Sequence, residues 1–284
     1  MFKSIGSEVC AFDLEWAPDP DSGRRVYDLP TTMGDRRVFE VMWEKAGATL
    51  EKPRPFLKTA LCRVISVAAV IREQSPKGQV TLRLTRLPKT PHQPMAEAEL
   101  IGAFLAYLGK QQPQLVGFNS HTSDLPILLQ RGIATGVSAK EFCRRPDRPW
   151  QGTDYFLRQG DSHIDLKALI SGWGIGAPCL YELARVMGIP GQLTPDHPTI
   201  VDWWVEGNLE AIMHHNQWDA LTTYLIWLRT ARFAGFFDAD QYAQEENRLK
   251  DLLKKHIDQG ETHLADYLTV WQRLRDTGLA IAGD

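Results

Sequence analysis

The sequence lacks any apolar run long enough to cross a membrane. Its longest apolar stretches, such as Val64 to Ile71, are far shorter than the roughly 20 residues that a transmembrane helix requires. The first residues, Met1 to Val9, contain no long apolar segment behind a basic one, so no signal peptide is expected. We therefore expect no membrane association and a cytoplasmic location.

Cysteine is also scarce, with four residues at positions 10, 62, 143 and 179. No two of them form a CxxC pair, so the sequence indicates neither a zinc site nor a disulfide framework. This usage is typical of a protein from a reducing compartment.

Positive charge is not in excess, because the net charge is −3. A basic surface is usual in nucleic-acid-binding proteins. The acidic balance does not exclude that class, however, since an enzyme that holds metal ions with carboxylates carries acidic residues in its site.

The predicted secondary structure changes along the chain. Three β-rich segments come first: Val9 to Trp16, Cys62 to Arg72 and Gln79 to Leu87. Helical and strand patterns then alternate: helix Met95 to Leu108, strand Gln114 to Phe118, helix Asp124 to Arg131, short strand His163 to Leu166, helix Leu180 to Met187 and long helix Leu209 to Phe233. Antiparallel strands followed by β/α alternation predict an α/β fold, a mixed sheet flanked by helices.

The segment near residues 18–58 is rich in Pro, Gly, Asp and Arg, and it predicts a loop insertion with one short helix at Arg37 to Ala46. Two amphipathic helices end the chain, near Asp240 to Ile257 and Glu261 to Asp276. We therefore expect a main domain over residues 1–235 and a helical extension over 236–284, which could bind a protein partner.

A first pair of candidate ligands lies in the first strand. Asp13 and Glu15 are two residues apart and so point to the same face, while Phe12 and Leu14 point to the other. Carboxylates roughly 7 Å apart on an apolar strand are costly unless they are paired or bind a cation such as Mg²⁺ or Mn²⁺. A surface strand edge with salt bridges is the alternative.

A third carboxylate follows the next buried strand. That strand ends at Asn119, and Asp124 opens the following helix. Ligand sites in open α/β sheets gather at such strand ends. Helix capping is the alternative role for Asp124.

A fourth carboxylate, Asp219, lies on the long helix, and His215 shares its helical face four residues earlier. An exposed polar face is the alternative. The strongly apolar stretch from Ala220 to Leu228 favours burial of Asp219 against the sheet.

These three motifs resemble the DEDD exonuclease superfamily in order and spacing. FDLE at 12–15, NSHTSDLPIL at 119–128 with Arg131, and HHNQWDALTTYLIWLR at 214–229 are similar to the predicted 3′–5′ exonucleases related to the exonuclease domain of B-family DNA polymerases. The resemblance covers Val9 to Arg229 and implies a ribonuclease H-like core.

The resemblance also implies roles for individual residues. Asp13 would bridge two Mg²⁺ or Mn²⁺ ions, Glu15 and Asp219 would hold the first ion, and Asp124 would serve the second. Asn119 would lie near the substrate. The four carboxylates would thus form the metal site of a two-metal-ion phosphodiesterase.

Two histidines are candidates for the general base. The related subfamily has Tyr four residues before the last Asp, where this sequence has His215, and a sister subfamily has His five residues before, where His214 lies. We favour His215 because a helix that begins at Leu209 places it on the face of Asp219.

The resemblance therefore implies a 3′–5′ exonuclease that releases 5′-mononucleotides from single-stranded or frayed 3′ ends, with DNA favoured over RNA. Trp16 and Trp150 are candidates for stacking on an unpaired terminal base, with a position in the core as the alternative for each. Three alternatives remain: an RNA-processing exoribonuclease, an inactive nucleic-acid-binding member of the fold, and an unrelated structural or interaction protein with the C-terminal helices as its partner surface.

Overall fold

A five-stranded mixed sheet forms the centre of the protein in the computed structural model, which describes residues 1–93, 95–148, 151–171, 176–193 and 199–276. The strands are β1 (Glu8–Pro18), β2 (Cys62–Gln74), β3 (Val80–Leu87), β4 (Gln114–Gly117) and β5 (His163–Asp165). Their order is β3-β2-β1-β4-β5. The first three pair antiparallel, whereas β4 runs parallel to β1 and β5 parallel to β4. The predicted mixed sheet, with three antiparallel strands followed by parallel ones, is confirmed.

Helices flank this sheet. They are α1 (Pro20–Val26), α2 (Asp35–Lys45), α3 (Glu97–Gln111), α4 (Asp124–Ala134), α5 (Leu166–Ser171), α6 (Leu180–Val186), α7 (Ile200–Glu206), α8 (Leu209–Phe233), α9 (Ala239–Asp258) and α10 (His263–Asp276), with a 3₁₀ turn at Thr59–Leu61. Among the described residues, none of the helices is long and apolar enough to cross a membrane.

The strict alternation of β1 divides the interior into two layers. Cys10, Phe12 and Leu14 pack with the apolar residues of α2, α3 and α4. Val9 and Ala11 point the other way and pack in the layer that contains α8, α9 and α10. Asp13 and Glu15 continue the alternation of Val9 and Ala11. Both carboxylates therefore point to the α8 side of the sheet.

The insertion near residues 18–58 contains two helices, α1 and α2, where the sequence analysis predicted one. Helix α1 was missed because Pro20 and Gly23 indicated a loop. Pro20 instead occupies the first turn, where a missing N–H costs nothing, and Asp19 accepts a hydrogen bond from the Ser22 amide. A Cβ on Gly23 would lie 2.5 Å from Met42 Sδ, so the glycine permits close packing of the two helices.

Helices α5 and α7 were not predicted either. Each has seven residues or fewer, which is too short to show a helical repeat of apolar residues.

Helices α9 and α10 pack on the α8 side of the sheet. The Arg72 side chain of β2 makes two hydrogen bonds to the Glu245 carboxylate of α9, at 2.9 and 3.1 Å. Tyr267 of α10 lies 3.0 Å from the Thr222 hydroxyl of α8. The last helices thus share a core with the sheet, and the domain boundary at residue 235 stays a prediction.

Candidate active site

Strand β1 places the first two carboxylates beneath α8. Glu15 is 9% exposed, and Asp13 is half-buried. One oxygen of Asp13 accepts a hydrogen bond of 2.8 Å from the side-chain amide of Asn216. Asn216 belongs to α8, so this bond ties the strand to the helix above it.

The third carboxylate, Asp124, reaches the same region because β4 lies beside β1. The chain leaves β4 at Gly117 and turns sharply through Asn119, whose φ is +62°. A Cβ on Gly117 would lie 2.5 Å from the Ser120 Cβ, so the turn needs glycine there. Asp124 then opens α4, 4% exposed, and accepts a hydrogen bond of 2.6 Å from the Ser123 hydroxyl.

A buried aspartate, Asp165, holds this turn in place. Its oxygens accept hydrogen bonds from three backbone amides: Asn119 at 2.9 Å, His121 at 3.0 Å and Ala168 at 3.2 Å. With its oxygens committed to backbone amides, Asp165 acts as an anchor for the segment that leads to Asp124.

Helix α8 contributes the fourth carboxylate and a histidine. The His215 Nε2 lies 3.5 Å from Asp219 Oδ2 and 3.8 Å from Glu15 Oε1. Gln192 donates to Asp219 Oδ2 at 3.3 Å. The Trp203 ring packs edge-on against the His215 ring, with centroids 5.6 Å apart. Because α8 begins at Leu209, as predicted, residues 215 and 219 share the face that meets β1.

His214 points elsewhere. Its ring stacks on His263 of α10 with centroids 3.7 Å apart, and its Nε2 lies 3.9 Å from Glu210 Oε1. The structure thus brings His215, and not His214, to Glu15 and Asp219.

All four carboxylates have raised pKa values, and burial is the largest cause for each of them. Burial, and then the charges of Glu15, Asp219 and Asp124, raise the pKa of Asp13 well above its usual value. Burial and the same aspartates raise the pKa of Glu15. Burial raises the pKa of Asp124 to about 6 and also raises the pKa of Asp219, although the Gln192 hydrogen bond and the proximity of His215 oppose the latter. A cluster of this kind is unfavourable in its fully charged state unless a cation neutralises it.

The cluster offers donor atoms that a divalent cation could bind. Glu15, His215 and Asp219 each offer a ligand atom within 4.8 Å of the other two. Asp219 Oδ1 is buried and has no hydrogen-bond partner. Buried carboxylate oxygens normally have partners, so an unpaired one marks a position that a cation would satisfy.

The two expected substrate-binding residues differ in their surroundings. Trp16 and Glu15 line the same cavity. The Asn119 side chain accepts a hydrogen bond of 2.8 Å from the Thr122 hydroxyl and so belongs to the turn before α4. Trp150 lies outside the described residues.

Several residues of the site were missed by the sequence analysis: Ser66, Gln192 and Asn216. Ser66 donates to Asn216 Oδ1 at 2.9 Å, and Asn216 in turn donates to Asp13. An amide three residues before Asp219 falls on the same helical face, and this spacing could have identified Asn216. No local pattern points to Ser66 or Gln192.

No curated protein matches the chain. The structure is similar to that of the family B DNA polymerase from the hyperthermophilic archaeon Pyrobaculum calidifontis, at 17% identity and a TM-score of 0.43, over 79% of this chain and 24% of the polymerase. This chain therefore spans about a quarter of the polymerase length.

Residues 54–271 match a protein family described as a predicted 3′–5′ exonuclease related to the exonuclease domain of PolB. The matched range includes Asp124, His215 and Asp219 and begins after Asp13 and Glu15. It covers most of the sequence, so the chain belongs to this family of predicted 3′–5′ exonucleases.

Proposed function

We propose that the protein is a metal-dependent 3′–5′ exonuclease that hydrolyses the terminal phosphodiester bond of single-stranded DNA and releases 5′-mononucleotides. The carrying observation is that Asp13, Glu15, Asp124 and Asp219 lie in one cluster, close enough for the other three charges to raise the pKa of Asp13. Three separate elements supply them, and an unpaired buried oxygen remains on Asp219. Such convergence of carboxylates beside one histidine suits phosphodiester hydrolysis better than a structural ion-pair network, because no Lys or Arg in the described part of the chain pairs with these carboxylates.

The proposed metal site uses all four carboxylates. Asp13 would be shared between two ions, with Glu15 and Asp219 on the first and Asp124 on the second. Two divalent cations, when bound, stabilise the attacking and leaving oxygens of an in-line displacement. Asn216 occupies one Asp13 oxygen and holds the carboxylate in a fixed orientation.

His215 is the proposed general base. Glu15 and Asp219 lie on the side of its Nε2, and Trp203 packs on its ring. These contacts hold the imidazole at the edge of the cluster, where it can accept a proton from the attacking water.

The proposed substrate is an unpaired 3′ end, because a terminal base must leave its stack to bring the phosphate to a buried cluster. Trp16 offers an aromatic ring next to Glu15. We also propose that Asn119, in the turn before Asp124, lies near the substrate.

The test is a cleavage assay with 5′-labelled and 3′-labelled strands, in DNA and RNA, with Mg²⁺ or Mn²⁺ and with EDTA. We expect immediate release of the 3′ label as mononucleotide, a ladder from the 5′ label and no reaction in EDTA. DNA should be cut faster than RNA. The Asp13→Ala variant should stay folded and lose activity. Cleavage that persists in EDTA, or equal cleavage of a closed circular single strand, would contradict the proposal.

A further inference from the structure

A second cavity, of about 310 Å³, lies between β2 and α9 and away from the carboxylate cluster. Its polar lining residues are Arg72 and Gln74 of β2 and Gln241, Gln244, Glu245 and Arg248 of α9. On β2, Arg72 pairs with Val9 of β1, whereas Ala68 pairs with Asp13. Four residues of strand, roughly 13 Å, therefore separate this cavity from the proposed metal site.

The local sequence explains why these side chains meet. The four polar residues of α9 follow the spacing i, i+3, i+4 and i+7, which places them on one face of the helix. Arg72 and Gln74 are two residues apart on a strand and share a face. Phe237 adds an apolar wall, with its ring centre 5.7 Å from the Arg72 guanidinium carbon.

The Glu245 carboxylate is fully used by its neighbours. Its Oε2 accepts hydrogen bonds from Arg72 Nε at 3.1 Å and from the Tyr224 hydroxyl at 3.3 Å. Its Oε1 accepts from Arg72 Nη2 at 2.9 Å and from Arg248 Nη1 at 3.3 Å. Since a carboxylate has about four acceptor positions, Glu245 has none left for another donor.

One nitrogen of Arg72 nevertheless stays unsatisfied. The Arg72 side chain is 2% exposed, and its Nη1 has no hydrogen-bond partner among the described residues. Buried donors normally have partners, so Nη1 indicates an acceptor that the described residues do not supply. The charges agree, because two arginines and only one glutamate line the cavity and leave one excess positive charge.

We propose that this cavity binds the phosphate group of a small molecule between Arg72 and Arg248. A phosphate has three acceptor oxygens and suits arginine N–H groups, so it can accept from both arginines and from a glutamine amide at once. A water molecule would satisfy Nη1 but would leave the excess charge. The proposal goes beyond the exonuclease function and does not depend on it.

The experiment titrates inorganic phosphate, thymidine 5′-monophosphate and thymidine into the protein and follows the backbone amide resonances by NMR. EDTA is present throughout, so that no metal ion at the carboxylate cluster can bind the phosphate. Arg248→Gln is compared with Arg37→Gln. Arg37 is the matched control, because it is a partly exposed arginine that pairs with Glu40 and Glu44 of α2.

We expect phosphate to shift the amide resonances of Gln74, Phe237 and Gln244. Arg248→Gln should weaken phosphate binding roughly 10-fold or more, which corresponds to the loss of one hydrogen bond between charged groups. Arg37→Gln should bind phosphate as the wild type does, and thymidine should not bind. Equal affinity for phosphate and the monophosphate would identify the free ion as sufficient, whereas tighter binding of the monophosphate would identify a nucleotide.

Three results would overturn the proposal. The first is no shift near the cavity with either phosphate compound, in which case the cavity holds water only. The second is unchanged phosphate affinity in Arg248→Gln, and the third is binding of thymidine as tight as that of its monophosphate. The shift map of the wild type tests the location without any substitution. None of these measurements involves cleavage, so the outcome is independent of whether the protein is an exonuclease.

Discussion

The side-chain amide of Asn216 lies 2.8 Å from Asp13 Oδ2 and donates to it. Asn216 is fully buried, and the Ser66 hydroxyl donates to its carbonyl oxygen at 2.9 Å. This second bond orients the amide so that its NH₂ group faces Asp13. Two successive hydrogen bonds, from Ser66 of β2 to Asn216 of α8 and from Asn216 to Asp13 of β1, therefore fix the orientation of the Asp13 carboxylate. The other oxygen of Asp13 stays available.

Replacement of Asn216 by Ala should weaken metal binding roughly 10- to 100-fold, the usual effect of losing a group that orients a ligand. The measurement is Mn²⁺ titration by calorimetry, without substrate. Gln217→Ala is the matched control, because Gln217 is a buried amide on the same helix that bonds to Glu261 and His263 instead. Unchanged Mn²⁺ affinity in Asn216→Ala would show that the contact has no positioning role.

The stabilisation given by Mg²⁺ should grow as pH rises. Without metal, a carboxyl whose folded pKa is raised, such as Asp124 at about 6, favours the folded state most when protonated. Its contribution is full below its unfolded pKa of roughly 4 and is lost as pH rises through about 6. Mg²⁺ offsets that loss by neutralising the charged cluster.

Thermal melts at pH 5 and pH 8, with EDTA and with Mg²⁺, test this. The rise in Tm on adding Mg²⁺ should be larger at pH 8, and Asp124→Asn should reduce the difference. An equal rise at both pH values would argue against a cluster that charges in this window.

His215→Ala should reduce kcat on the order of 10²-fold or more, the scale of a lost acid–base group. His214→Ala should cost much less in rate, because His214 stacks on His263 away from the carboxylates. His215→Tyr should retain part of the activity. The variants are compared at saturating Mn²⁺. If His214→Ala is the one that loses activity, His214 is the base.

Asp165→Ala should both destabilise the protein and slow the reaction. It leaves the amides of Asn119, His121 and Ala168 without their acceptor, and the loss of a hydrogen bond to a charged group costs about 1.5–3 kcal/mol. The loosened turn should also displace Asp124. Urea denaturation and kcat are measured beside Asp161→Ala, whose carboxylate accepts the exposed Lys3 amide and which should change neither. A fully active Asp165→Ala variant would contradict the anchoring role.

Glu245→Ala should lower the free energy of unfolding by roughly 3–5 kcal/mol, because it leaves the buried Arg72 charge unpaired. Arg72 and Glu245 are 2% and 3% exposed at their side chains. Glu40→Ala, which removes an exposed partner of Arg37, should have no measurable effect. Equal urea midpoints for the two variants would mean that α9 contributes little to the fold.

The sequence by itself determined the elements whose signals are local. Period-two alternation in β1 placed Asp13 and Glu15 on one face, and both side chains contact α8 in the structure. The cap at Asn208 and the apolar pattern gave α8 its observed bounds, Leu209–Phe233. A helix that begins there fixes which histidine shares the face of Asp219, so local spacing was sufficient to favour His215.

Only the tertiary structure decided which residues support the carboxylates and what lies beside them. Asn216 and Asp13 are 203 positions apart, Ser66 and Asn216 are 150 apart, and Arg54 and Asp202 are 148 apart. No periodic pattern in the sequence indicates such pairs. Each contact depends on how strands and helices pack, and not on the neighbouring residues in the chain. The same holds for α1, whose Pro20 and Gly23 predict a loop until the packing of Gly23 against Met42 is seen.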